Sequence, residues 1–376
     1  VNSTKTTNIE TAEIVLPCPK FDETFDFFTG RLGFQIISIF PADNPSVATV
    51  SGFGLRIRLE KTALNPAENK NIKIRLGCAD PSLIAGEETN LTAPNGVQIE
   101  FVEANPPVSV PGLQNSFVLT RSAADSDWIK GRADMRYRDL IPDRQGGYVI
   151  ASHIHIPKGG PVPDYVHFHK IRFQIIFCKS GWARLVYEDQ GEEFIFESGD
   201  CVLQPPEIRH RVLECSDNLE VIEVSCPAEH ETFADPEMTL PNSILNPERI
   251  FNGQNFVRHQ ANKNRWKKHR LNGFECQDTK IDKATKGFAS VKVIRPKSDE
   301  NSLTFEHNAE FLFIFILSGQ VLFKPEDKPL ENLKEGDSLV IPRGLRCLFS
   351  NSSSDLKMLE VSFLKEAETR PSGSVL

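Results

Sequence analysis

The sequence predicts a mainly β chain: two tandem copies of one β-barrel domain, preceded by a smaller α+β module of βαβββ type. Three observations carry this. A set of Gly and Pro landmarks recurs at a fixed interval in the C-terminal two-thirds of the chain. Short apolar stretches separated by Gly and Pro fill the same region, the pattern of a sandwich or barrel. The first hundred residues instead alternate one helix-period stretch with strand-like runs. The 376 residues leave room for several domains of about 100–200 residues each.

In chain order, Ile14–Leu16 is a short apolar run closed by Pro17 and Pro19. Phe21, Phe25, Phe28 and Leu32 then fall at i, i+4, i+7 and i+11, one face of a helix, and Gly33 stops it. Strand-like stretches follow at Phe34–Phe40, Ala48–Val50, Leu55–Leu59 and Val97–Val102. The last two alternate apolar with charged residues, as half-buried strands do. The segment FDETFDFFTGRLGF, with APNGVQIEFVE later, resembles one module of the glyoxalase/bleomycin-resistance family, the vicinal oxygen chelate fold, over residues 8–105. The resemblance implies metal-ligand positions on the first and last strands, which fall here on Glu13 and Glu100. The first is usually His, so both glutamates are expected to be structural or solvent-facing. One such module leaves a half-open sheet, so a homodimer is expected.

Pro106, Pro107 and Pro111 mark 106–130 as a linker. Beyond it, Tyr148–Ile156, Arg172–Lys179, Ala183–Tyr187, Glu193–Phe196, Cys201–Gln204, Arg211–Glu214 and Leu219–Val224 are short strand candidates. The repeat is then explicit. IFCKSGWARLVYED followed by ESGDCVLQPPEIRH has a partner in IFILSGQVLFKPED followed by KEGDSLVIPRGLRC. Gly181 matches Gly319, 138 residues on; Gly199 matches Gly336 and Pro205 matches Pro342, both 137 on. Such self-similarity means two copies of one unit. The expected division is a module at 1–105, a linker at 106–130, a first barrel at 131–230, a connector at 231–285 and a second barrel at 286–376. The connector carries Arg258, His259, Lys263, Arg265, Lys267, Lys268, His269 and Arg270 around Trp266. A solvated clamp between the barrels is the expected role.

Charge and composition narrow the function classes. With 43 basic and 51 acidic residues the formal charge is −8, which argues against nucleic acid as the main partner. The longest apolar run, Phe311–Leu317, is far short of the roughly 18 residues of a membrane span. Val1–Glu10 lacks a charged-then-apolar leader pattern. The eight cysteines include no CxxC and read as buried thiols of a reducing compartment. A cytoplasmic protein is therefore expected. The 26 Phe against 4 Tyr and 3 Trp imply thick, dry cores.

The chemistry-bearing residues lie in the first copy. His167 and His169 are two apart, so on a strand both point to one face. Gln174 lies on the next strand and His210 on a third. Four N/O donors converging inside a β-barrel suit a divalent transition metal. The spacing of Gly160, His167, His169, Gln174 and Gly181, then Gly199, Pro205 and His210, resembles both motifs of the cupin family. The resemblance implies a double-stranded β-helix and one metal held by His167, His169, Gln174 and His210, with Fe, Mn, Ni or Zn all admissible. Gln174 replaces the family's usual Glu, Glu207 stands where the second motif has Gly, and one extra residue separates Gly160 from His167. In the second copy the matching positions are Phe305, His307, Leu312 and Cys347. That set is a poor site, so the second barrel is expected to be structural or a metal-free binding module.

Three imidazoles and a neutral amide leave the ion its full charge. That favours Lewis-acid chemistry on a carbonyl, enol or carboxylate of a small oxygenated substrate, of isomerase, cyclase or lyase type. A non-haem Fe(II) dioxygenase and a non-catalytic small-molecule binder are the alternatives. Four further residues are candidates for catalysis. Arg172 shares parity with Gln174, either as an inward anion clamp or as a rim salt bridge. His153 and His155 share one face of an earlier strand and serve proton transfer if that face is inward. Glu207 is a candidate base beside the site.

Overall fold

The computed structural model describes residues 11–63, 66–85, 89–122, 128–131, 135–297 and 302–364. Val1–Glu10 lies outside them. The chain divides at Pro107/Val108 into two compact units.

In the first unit, strand Ile14–Cys18 leads into helix Phe21–Asp26, whose last turn, Phe27–Arg31, widens to π geometry. Gly33 ends it at φ +78°, a left-handed value that glycine adopts without a Cβ clash. Strands Gln35–Phe40, Val47–Gly52 and Leu55–Lys61 follow. They form one sheet in which the first strand lies at the edge, parallel to the last. This is a βαβββ unit. A second, smaller βαββ unit follows, of which the sequence showed only the last strand: strand Lys73–Cys78, helix Pro81–Ala85, and strands Asn90–Thr92 and Gln98–Glu103, again with first and last parallel. Both sheets share one core, from Leu16, Phe28 and Ile57 to Ile74, Ile99 and Phe101. The expectation of a lone module with a missing half is thereby corrected. On the edge strand Gln35–Phe40, the side chains of Ile36, Ile37, Ile39 and Phe40 are exposed.

The second unit holds the two barrels. Every strand expected in the first copy is present within two residues of its predicted bounds. A seven-stranded sheet centred on Phe173–Ser180, Leu219–Cys226 and Ile150–Ile156 faces a second sheet built on Trp182–Tyr187, His210–Cys215 and His167–His169. The second copy repeats this with Phe311–Ser318, Lys357–Phe363 and Ala289–Pro296 against Ser302–Phe305, Cys347–Ser350 and Gln320–Pro325.

The repeated glycines have a physical cause. Gly181 and Gly319 sit at φ +78° and +75°, and a Cβ on either would lie 2.5 Å from the Oγ of Ser216 or Ser353, themselves equivalent serines. The Gly-Asp pairs are docking points. Buried Asp200 accepts the Ala261 backbone N–H at 2.9 Å, and buried Asp337 accepts that of Ser122.

Those two contacts locate the segments read as linker and connector. Within 106–130, Val118–Thr120 joins the sheet of the second barrel beside Ser338–Val340, while Ile129–Lys130 joins the first through Arg136–Asp139. Within 231–285, Val257–His259 joins the first barrel beside Cys201–Leu203, while Lys267–Lys268 and Phe274–Asp278 belong to the second. Each copy thus lends a strand to the other's sheet. The clamp is made of strands rather than solvated loop. Two of its basic residues are engaged within the unit, Arg258 stacking on Phe194 at 3.9 Å and Arg270 pairing with Glu360 at 2.6 Å, while Lys263, Arg265, Lys267 and Lys268 are exposed.

The largest apolar core lies between the barrels. Phe173, Ile175 and Phe177 point out of the first barrel against Phe311, Phe313, Phe315, Val361 and Phe363 of the second. The alternate residues Leu312, Ile314 and Ile316 fill the second barrel's interior. A strand buried on both faces reads as an unbroken apolar run, which is why Phe311–Leu317 is the longest in the chain.

Candidate metal centre

Strand alternation sends His167 and His169 into the first barrel, and antiparallel pairing places His210 directly opposite His167. All three are buried, and one nitrogen from each lies within 4.8 Å of the others. No other group of three such ligand residues occurs among the described residues. Each ring is fixed from behind. The Nδ1 of His167 meets the Tyr165 carbonyl at 2.8 Å, that of His210 the Ile208 carbonyl at 3.0 Å, and that of His169 the Glu231 carbonyl at 3.3 Å. A carbonyl only accepts, so each Nδ1 carries the proton and each Nε2 presents a lone pair. Second-shell bonds of this kind orient metal-binding histidines. The residues present therefore fit a divalent ion.

Gln174 is buried beside them, and its Nε2 donates to Glu223 Oε1 at 2.8 Å. Ser225 Oγ donates to the same oxygen at 3.0 Å. A carboxylate accepts only, so this bond settles which end of the amide is nitrogen and turns the amide oxygen away from Glu223. Glu223 lines the cavity and was missed in the sequence reading. The repeat could have revealed it, because Glu360 stands 137 residues on, in the same register against the neighbouring strand. Tyr187 stacks near His210, and burial pushes its phenol above the ordinary value, leaving a neutral hydroxyl. His230, also missed, lines the cavity with its ring 5.3 Å from His169.

Gln174→Leu is expected to lower metal affinity at least tenfold in a folded chain, since Leu312 already fills the matching place in the second barrel. Gln174→Glu would put two carboxylates within 2.8 Å of each other, a like-charge pair that metal relieves. The gap in Tm between metal-loaded and metal-free protein should then widen relative to the unsubstituted chain. Calorimetric titration of metal and thermal unfolding check both.

The other four candidates lie outside the cavity. Arg172 precedes the strand, so alternation does not carry over to it; its guanidinium stacks on Phe288 at 4.2 Å. His153 and His155 point away from the barrel interior, because Ser152, Ile154 and Ile156 take the inward positions. His155 meets Asn218 Oδ1 at 3.3 Å. Glu207 stands in the turn at φ +66°, and its backbone N–H donates to the His169 carbonyl at 2.9 Å. Its backbone thereby supports the ligand strand, while its carboxylate meets Asn252 at 3.5 Å. Glu13 pairs with Arg56 at 3.3 Å, and Glu100 with Arg75 at 3.0 Å, each on its own sheet.

His153 packs on Phe315 of the second barrel. Burial holds its imidazole below the ordinary value, so its neutral ring donates from Nε2 to Glu220 at 2.7 Å and accepts from Arg138 at 3.2 Å. With Lys179 at 3.0 Å, His153 pulls the Glu220 carboxyl from 4.5 to about 2. A value depressed in the folded state gives stability that is complete above 4.5 and lost as pH falls towards about 2. Glu220→Gln should flatten that acid limb, as measured by urea unfolding at stepped pH.

In the second barrel, Phe305, Phe323 and Phe349 stack at 5.2 Å spacings where the first has His167, Leu185 and Val212. His307 donates its Nε2–H to the Ile341 carbonyl at 2.9 Å. Burial pushes the Cys347 thiol up to about 12.

No protein-family model matches the chain, and no curated protein matches it. Among solved structures, a protein described as glyoxylate-induced, from Pseudomonas aeruginosa, superposes with a TM-score of 0.50 at 9% identity, over 72% of this chain and 97% of its own. Protein Ylba from E. coli gives 0.47 at 12% identity over 69% and 94% of the two chains. A mutant of Bacillus subtilis oxalate decarboxylase gives 0.48 at 13% over 68% and 78%. At such identities likeness speaks for fold alone, and it agrees with a mainly β chain that holds two tandem β-barrels. No described helix is long and apolar enough to cross a membrane.

Proposed function

We propose that the chain is a metal-dependent enzyme with one divalent transition ion in the first barrel, acting on a small oxygenated substrate in an isomerisation, cyclisation or lyase reaction. The observation that carries this is the set of three buried imidazoles, each fixed by an Nδ1–H bond to a backbone carbonyl, with ligand nitrogens within 4.8 Å. When bound, the ion supplies Lewis acidity to a carbonyl, enol or carboxylate oxygen. His167, His169 and His210 hold it, and Gln174 offers an amide oxygen without adding negative charge. Glu223 holds that amide in place and is a cavity-lining carboxylate able to take a proton, while Asp164 stands 3.6 Å behind His167 Nδ1. Tyr187 offers a neutral hydroxyl on the His210 side.

A three-imidazole set is also compatible with a non-haem iron dioxygenase, with Gln174 then outside the ligand set. Metal analysis of protein purified without added metal, followed by oxygen uptake with Fe(II) and candidate enols or catechols, separates the two. Turnover with no oxygen consumed supports the Lewis-acid reading. Oxygen consumed in step with substrate transfers it to the dioxygenase. Ligand binding with no turnover leaves a non-catalytic binding protein.

A further inference from the structure

The cavity beside the histidines has a volume of about 360 Å³, and its polarity is sorted into layers along the barrel axis. Strand register defines these. Ser152 lies opposite Glu223, and His210 opposite Tyr187; with Gln174 and the other histidines these make one polar layer. One step along, Ile154 lies opposite Val221 and Leu185 opposite Val212, while Ile176, in register with Glu223, stands at the border of the two layers. A further step brings Ile156 opposite Leu219. The lining beyond the polar layer is therefore mostly apolar, aliphatic side chains joined by Phe196 and the ring of Tyr137, with Arg211 as the charged exception.

From this layering we infer the substrate class: an amphipathic molecule with one oxygen-bearing head and an aromatic or branched aliphatic body. The inference rests on the metal-centre reading for its head group. The head seats in the histidine layer, where Gln174, Tyr187 and Glu223 offer hydrogen-bonding partners. The body lies among Ile154, Ile176, Leu185, Val212 and Val221. A sugar acid would put most of its hydroxyls against these walls, where few groups replace their lost water. A small dicarboxylate would leave the aliphatic layers unfilled. The size agrees, since an apolar cavity of about 150 Å³ takes benzene, and about twice that takes a ring with a polar head.

The second barrel shows how such a chamber is closed. Phe323 and Phe349 occupy the positions of Leu185 and Val212, and there the interior is packed solid. Leu185→Phe with Val212→Phe is thus a plug that the fold already tolerates in its other copy.

The test uses the full chain loaded with Mn(II), its metal content measured, and calorimetric titration with benzohydroxamate, acetohydroxamate and oxalate. The two hydroxamates share a head and differ in the ring. Benzohydroxamate is expected to bind at least tenfold more tightly than acetohydroxamate or oxalate. The plugged variant should lose that advantage while keeping its metal and its affinity for acetohydroxamate within about threefold. Oxalate binding as tightly as benzohydroxamate, or an advantage untouched by the plug, overturns the inference. Should the plugged variant fail to fold by circular dichroism, Ile176→Thr with Val221→Thr replaces it, and the ring's advantage should shrink severalfold. The ratio of the two hydroxamates is also read on His167→Ala with His169→Ala. An unsubstituted chain that takes up no Mn(II) but keeps the ratio refutes the metal centre and not the apolar chamber; a metal-loaded chain without the ratio refutes the chamber alone.

Discussion

His167→Ala combined with His169→Ala is expected to take the chain from about one firmly held transition metal to none, a loss of more than a thousandfold in affinity. The two imidazoles provide two of the three converging nitrogens. Both point inward from one short strand whose neighbour carries the third, His210. Cys347→Ala in the second barrel should leave the stoichiometry unchanged. Its thiol is pushed up to about 12 by burial, so it stays protonated, and it donates to the Leu345 carbonyl among packed phenylalanines. Elemental analysis after dialysis, together with a competition titration against a coloured chelator, measures both variants. Two firmly held ions per chain would refute the single-centre reading.

Phe363→Ala should destabilise the second unit by about 3–5 kcal/mol, the cost of a large cavity in a dry core. The ring is fully buried between the barrels and touches Phe311, Phe173 and Phe288 at centroid distances of 5.0, 5.1 and 4.9 Å. Phe173 belongs to the first barrel, whereas Phe288 and Phe311 belong to the second. Because each copy also lends a strand to the other, the loss should move the unfolding of both barrels together. Denaturant unfolding followed by near-ultraviolet dichroism, and in parallel by metal release, tests this. If metal release keeps its midpoint while the dichroism midpoint falls, the barrels unfold independently and the shared core is not what couples them.

Much of the candidate site was legible because its signals are local. His167 and His169 must share a face if they lie on a strand, and the Gly-Asp and Pro landmarks are fixed by turns that only certain residues can make. Residues 312 and 347 lost their ligand character in the second copy, and the structure fills that barrel with aromatic rings. What alternation cannot supply is which of a strand's two faces is the inside. His153 and His155 share a face, but that face packs on Trp128 and the second barrel. Arg172 lies one residue outside its strand, where the rule no longer applies. On Leu219–Cys226, Glu220 and Glu223 look alike in the sequence, yet one is tied up between the barrels and the other reaches the cavity.

Residues close together, and a repeat of the same local chemistry, were enough to place the strands of the first barrel, the turns between them, the duplication and the three inward histidines. Tertiary structure alone decided the rest. The segments 106–130 and 231–285 look like loops because their strands are two to five residues long, and such strands are stable only when a neighbouring sheet supplies their hydrogen bonds. The phenylalanines of alternate positions look like ordinary barrel filling until two sheets meet and both faces of one strand are buried. Glu223 became part of the site because a neighbouring strand brought Gln174 within 2.8 Å of it, a contact between residues 49 apart that no local pattern encodes.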